Sequence, residues 1–393
     1  MVFAQIVPRV RRPDNHEFAL DFIGFCCVAQ IKPPRNRPGL GDIPQSIGEP
    51  NGGEHPLSEP RRTRIAFCYH SKTSRDETQP FPQKISRFGF LDLMLAAMGD
   101  SPAVPITIRN TWKAVVDHAR RYQDFTYVYP VISRRSRGLS IGVNLNPDKQ
   151  CNFDCVYCEV DRTTPGKARD VRLDQVRDEL RWLIDHALSG GLGREAKFND
   201  APPEVSRIVR DVAFSGDGEP TMVSNFDVCV EVVADVLREK GLSETKIVLI
   251  TDSAGLDKVS VRRGVSLMDA HHGEVWAKLD AGTEEYYRHI NRSSVRFDRI
   301  LSNLLETARV QPIVIQSLFL KTHGQPMSSI ELDAYCRRLN QIRDGGGTLR
   351  EVHAYTLARP TPEEWATRLS AEELSAVAET IRNQTGLRVE EFP

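Results

Sequence analysis

Long apolar runs, a second cysteine motif and an excess of charge of either sign are all missing from this sequence. The longest apolar stretches, Phe18–Val28 and Phe90–Met98, fall short of the roughly 20 residues that cross a bilayer, and the first is broken by Asp21. No basic start, apolar middle and small-residue cleavage pattern opens the chain, so a cytoplasmic protein with no membrane partner is expected. Eight cysteines in 393 residues are too sparse for a secreted disulfide scaffold. Five of them, Cys26, Cys27, Cys68, Cys229 and Cys336, show no metal-ligand spacing, which fits a reducing compartment. The net charge of −1 excludes a uniformly basic polyanion binder, yet it hides a gradient: residues 141–393 carry 32 Lys and Arg against 40 Asp and Glu, and 101–140 carry 7 against 2.

Regular periodicity is also missing from the first quarter. Pro, Gly, Arg and Ser cluster between Lys32 and Arg87, so residues 1–95 read as a disordered extension or as upstream sequence before a start at Met94 or Met98; a partner-binding arm is the functional alternative. A helix-like pattern over 109–128 suggests an N-terminal helical layer spanning 96–137. From residue 138 to the end, strands and helices alternate over short connections, the signature of repeated βα units and a parallel sheet. Strands are expected at Ser140–Leu145, Asp211–Ser215, Lys246–Thr251, Glu274–Asp280, Ile313–Leu320 and Glu351–Leu357, with a closing strand at Leu387–Phe392. The first helix carries Leu173, Val176, Leu180, Leu183, Ile184 and Ala187 at helical spacing, and the last opens on a capping box, Ser370 with Glu373. Six units in about 250 residues are too few for a closed eight-stranded barrel, so the expected α/β fold is a partial (βα)6 barrel, open enough to admit a large substrate.

The loop after the first strand holds what is most specific, Cys151-Asn152-Phe153-Asp154-Cys155-Val156-Tyr157-Cys158. Three thiolates at this spacing can hold three corners of a cubane [4Fe-4S] cluster and leave one iron without a protein ligand. A closed zinc site, the alternative, wants a fourth ligand, and no cysteine or histidine lies nearby to serve.

Spacing, the aromatic Tyr157 before the third cysteine and the preceding strand resemble the radical S-adenosylmethionine (SAM) superfamily. Gly216-Asp217-Gly218-Glu219-Pro220, after the second strand, resembles that superfamily's Gly-Gly-Glu segment with Asp217 in place of the first glycine. Together with Leu279–Arg292, these motifs look most similar to the Fe-S oxidoreductase group related to wyosine-forming tRNA enzymes, over about residues 138–360. The resemblance implies an oxidoreductase-like enzyme whose open iron chelates S-adenosyl-L-methionine. Reductive cleavage then gives a 5′-deoxyadenosyl radical that abstracts hydrogen. It also implies a flavodoxin or ferredoxin as electron donor. By the same resemblance Glu219 and its neighbours bind the ammonium end of SAM, Thr251, Asp252 and Ser253 face its ribose or carboxylate, and Tyr157 belongs to the adenine pocket.

Gln316 falls at the end of the fifth strand, beside the same expected cavity. Lys278 and Asp280, two apart on the fourth strand, face one side of it and are candidate substrate contacts, or else a barrel-lining ion pair. Arg359 and Arg292 are candidate clamps for a carboxylate or phosphate, or else surface ion pairs. Two rival functions stand beside the enzyme reading. A tRNA-modifying member would use a basic strip at Arg134, Arg135 and Arg137, although an acidic body argues against tRNA. A non-catalytic cluster-binding protein would make no 5′-deoxyadenosine.

Overall fold

A computed structural model describes residues 107–117, 119–167, 170–359 and 361–393. The extension expected over 1–95 lies outside the described residues. Eight strands form the main sheet: β1 (Val128–Ser133), β2 (Gly138–Val143), β3 (Val209–Phe214), β4 (Lys246–Thr251), β5 (Glu274–Lys278), β6 (Ile313–Leu318), β8 (Leu349–Tyr355) and β10 (Val389–Phe392), adjacent in that order. β1 pairs antiparallel with β2, and every other pairing is parallel. β7 (Leu320–Thr322) and β9 (Ala366–Arg368) make a separate antiparallel pair. Helices α1 (Leu173–Leu188), α2 (Phe226–Glu239), α3 (Val259–Asp269), α4 (Glu284–Asn291), α5 (Phe297–Val310), α6 (Ser329–Asp344) and α7 (Ala371–Thr385) fill the crossovers. The six βα units and the closing strand are where the residue pattern puts them.

Within the described part of the layer expected over 96–137, the structure is largely not helical. Among the described residues before β1 only Lys113–Val116 is helical, and β1 joins the main sheet as its edge strand. Val128, Tyr129, Val131 and Ile132 favour a pleated surface, and Pro130 is tolerated because an edge strand need not donate from every residue. Glu179 of α1 fixes this start. Its buried carboxylate accepts from the backbone N–H groups of Thr126, Tyr127 and Val128 at 2.8–3.0 Å.

The main core lies between the sheet and its helices; α1 contributes Val176, Leu180, Leu183, Ile184 and Ala187, all fully buried. α7 is closed by the capping box, with Ser370 Oγ accepting from Glu373 N and Glu373 accepting from Ser370 N. The concave face is thinner in apolar groups: Ala213, Val248, Trp276 and Val314 form a small cluster with Ile250. Near the strands' amino ends that face turns ionic, with Lys246 and Arg350 on Glu274 at 2.6 and 2.7 Å and Arg388 on Glu351 at 3.2 Å. The sheet curls. The β1–β2 turn reaches β10 at the far edge, Arg137 pairing with Glu390 at 3.3 Å and Arg134 Nη1 donating to the Pro393 carbonyl at 2.5 Å.

Candidate functional site

The cysteine loop leaves the carboxyl end of β2 and is sewn to its surroundings by backbone. Asp154 N and Val156 N donate to the carbonyls of Asn291 and Ile290, at the end of α4, at 3.0 and 2.9 Å. Glu219 N donates to the Gln150 carbonyl at 2.9 Å, which brings the Gly-Asp-Gly-Glu turn against the loop. Glycine is required at that contact. A Cβ on Gly218 would stand 2.0 Å from the Gln150 carbonyl oxygen, and one on Gly216 2.3 Å from Asn144 Oδ1.

Cys151, Cys155 and Cys158 all line one cavity of about 320 Å³, together with Tyr157, Gly216, Asp217, Gly218, Glu219, Thr251, Asp252, Lys278 and Arg359. Each sulfur accepts from a neighbouring donor: Phe153 N to Cys151 at 3.4 Å, Asn291 Nδ2 to Cys155 at 3.5 Å, Arg162 Nη2 to Cys158 at 3.7 Å. Burial pushes the Cys155 thiol up to about 12 although Lys278 pulls it back. Burial, with Asp252 and Glu219 adding to it, also raises Cys151. Thiolates here therefore need added positive charge, which a metal cluster brings. Among the described residues, the group of three His, Cys, Asp or Glu ligand atoms within 4.8 Å of one another is Glu351, His353 and Glu390, and the cysteines form no such group.

Glu219 is buried and held from within. Its Oε1 accepts from Thr221 N, Thr221 Oγ1 and Thr251 Oγ1 at 3.0, 2.6 and 2.7 Å, and its Oε2 from Asp252 N at 2.7 Å. Burial raises its pKa against those bonds; burial, then Glu219, raises that of Asp252 well above the usual carboxylate range. Two buried carboxylates beside Cys151 make this wall attractive to a cation. Asp217 holds the turn, accepting from Asn144 Nδ2 at 2.8 Å and facing Arg120 at 3.7 Å.

Lys278 and Asp280 do face one side, 3.9 Å apart. The Lys278 ammonium donates to Tyr355 Oη at 2.7 Å and lies 4.8 Å from the Tyr157 ring centroid. Burial works against its charge, but Asp280, Tyr355 and Cys155 outweigh burial and its pKa is raised. Asp280 is the buried member of this ion pair, the alternative reading of the two residues. Its side chain is fully buried, accepting from Leu318 N at 2.9 Å, Asn291 Nδ2 at 2.8 Å and Tyr157 Oη, and it does not line the cavity. Ser253 and Gln316 are also set back: Ser253, at φ +72°, donates to the Lys278 carbonyl at 3.3 Å, and the buried Gln316 accepts from Leu279 N at 3.1 Å through its backbone. Arg359 pairs with Glu159 at the cavity wall, and Arg292 with Glu363 at 2.6 Å.

Asn291 is a residue that spacing did not single out. Its amide reaches Cys155, Asp280 and Tyr157, so one buried side chain ties the cysteine loop to β5. The expected basic strip dissolves: Arg134 and Arg135 line the cavity, whereas Arg137 is drawn to Glu390. Among the described residues no helix is long and apolar enough to cross a membrane.

No protein-family model matches the chain. It is 25% identical over 252 residues to the GTPase Obg of Brachyspira hyodysenteriae, covering 62% of this chain and 32% of that protein. It is 30% identical over 177 residues to a UPF0026 protein of Methanocaldococcus jannaschii, 45% of this chain and 46% of that one. The chain thus spans less than half the length of either relative. Among solved structures it resembles a radical SAM methyltransferase from Sphaerobacter thermophilus, at a TM-score of 0.47 and 13% identity, covering 67% of this chain and 68% of that one.

Proposed function

We propose that the chain is a radical SAM enzyme that holds a [4Fe-4S] cluster on Cys151, Cys155 and Cys158, binds S-adenosyl-L-methionine in the adjoining cavity and abstracts hydrogen from a substrate lying over the strand ends. One observation carries the reading: among the described residues three cysteines, and no fourth, line a cavity at the carboxyl ends of parallel strands. Such a cluster, when bound with SAM, supplies one electron to a carbon–sulfur bond and so a 5′-deoxyadenosyl radical. A flavodoxin or ferredoxin would deliver that electron, in the cytoplasm.

The chain's own residues orient and insulate. Asn291, Arg162 and Phe153 N–H donate to the three sulfurs and so stabilise thiolate charge. Glu219 locks the loops after β3 and β4 together, which leaves Asp252 and the remaining lone pair of Glu219 Oε2 to face a cationic group. Lys278 is fixed between two tyrosine rings and supplies positive charge opposite the carboxylates. The test is anaerobic cluster reconstitution, followed by dithionite and SAM, with 5′-deoxyadenosine measured by chromatography. A cluster that forms with about four irons and accepts SAM, yet yields no 5′-deoxyadenosine, would overturn the reading.

A further inference from the structure

We propose that the substrate carries an anionic group, carboxylate or phosphate, that seats on the guanidinium of Arg135 inside the cavity. This rests on the cavity being the reaction site, and it adds a substrate class to that reading.

Six cationic side chains line the cavity, and most are already spoken for. Arg120 faces Asp217 at 3.7 Å, Arg359 pairs with Glu159, and Arg162 donates to Cys158 and to the Lys149 carbonyl. Lys278 has Tyr355 and Asp280. Arg134 has the Pro393 carbonyl. Arg135 differs, since among the described residues it makes only ring contacts, its guanidinium carbon 5.6 Å from the Trp276 centroid and 5.3 Å from that of Tyr355. Ring contacts use none of a guanidinium's N–H donors, and its planar fork can bind a carboxylate or phosphate by two parallel hydrogen bonds.

The surrounding charge supports an incoming anion. Asp211 is the carboxylate whose field reaches Arg135, but it is buried and turned onto the Ser140 hydroxyl, which donates to it at 2.5 Å. Burial lowers the pKa of Arg134, and Arg135 and Arg359 lower it further; the same repulsion acts on Arg359. Three guanidiniums therefore crowd one cavity with Glu159 as the ion partner on their side. Arg135 is only half-buried, so its charge faces the cavity and is open to an entering anion. The position inside a cavity suits a small anion better than a nucleic-acid backbone, which would need these arginines on an open face.

The test uses the full chain, as isolated and after cluster reconstitution, without reductant, first without SAM and then in saturating SAM. Inorganic phosphate, pyrophosphate and succinate are titrated calorimetrically at low salt. At least one should bind, and Arg135→Gln should weaken it at least tenfold, whereas Arg137→Gln, in the same turn, should not. A stronger phosphate or a stronger succinate signal assigns the source of the anion. In the unmutated chain, the bound anion should protect Arg135, and not Arg137, from an arginine-selective dicarbonyl reagent read by peptide mass. That measurement stands even if Arg135→Gln fails to fold. Absence of binding by all three anions, equal labelling of Arg135 with and without them, or loss of the anion signal in saturating SAM would each overturn the inference, the last by assigning Arg135 to the SAM carboxylate. Failure to make 5′-deoxyadenosine would end the radical reading and leave these results intact.

Discussion

At the residue scale, what was readable in the chain was what lies close together in it. The three cysteines fall within eight residues, so spacing alone announces them. Asn291 is far away in sequence and reaches the site only because α4 ends under the cysteine loop; no local signal marks it. Arg135 was read as part of a basic strip and enters the cavity because the β1–β2 turn folds inward. Spacing did place Lys278 and Asp280 on one side, but it could not show that Asp280 would be consumed by Leu318, Asn291 and Tyr157. Two predictions follow from these contacts. Cys155→Ala should leave the reconstituted chain with little iron and no 5′-deoxyadenosine, as checked by iron assay and chromatography. Asn291→Leu removes donors from a buried carboxylate and a sulfur, so the chain should lose about 2–3 kcal/mol in urea unfolding. It should also bind its cluster with an altered absorption and EPR signature. A chain that unfolds as before would mean that Asp280 finds water instead.

At the element scale, strands buried on both faces and helices with one apolar stripe were plain, because burial of that kind dictates residue type. β2 to β6, β8 and β10 appear where apolar runs alternate with amphipathic stretches. β1 was hidden because its neighbours upstream have helical spacing and its Pro130 argues against a strand in the middle of a sheet, though not at the edge where β1 sits. β7 was merged with β6, since Ile313–Leu320 is one apolar run and the break at Phe319 comes from tertiary pairing with β9. The α7 capping box was legible and is formed. Ser370→Ala should therefore cost about 1 kcal/mol of stability in denaturant unfolding while 5′-deoxyadenosine formation stays within twofold, because α7 lies on the convex side of the sheet. A larger loss of activity than of stability would tie α7 to the site.

On the scale of the whole molecule, the curled sheet encloses titratable groups whose charge state is set by folding. His353 lies on the concave face of β8 and is 3% exposed, its ring edge-on to Trp276 and Phe392 at 5.1 and 5.3 Å. Burial, aided by Arg135, pushes its pKa down to about 4 against the pull of Glu390 and Glu274. An unfolded histidine titrates near 6.5. Between those values the unfolded chain takes up a proton that the folded chain refuses, so stability is fully present above about pH 6.5 and drains away as the pH falls towards 4. For a shift of this size, about 1–2 kcal/mol should be lost between pH 7 and pH 5. The measurement is urea unfolding of the full chain across that range, beside His353→Gln, in which the loss should be smaller by that amount. Glu274, held low by Lys246 and Trp276 in spite of burial, loses its contribution only at more acid pH, and the raised carboxyls of Glu219 and Asp252 are common to both chains and cancel in the comparison. Parallel slopes for the two chains would mean that His353 keeps its proton when folded, with Glu351 at 3.1 Å from Nε2 as the stabilising partner, and that the concave face is more polar than its aromatic contacts imply.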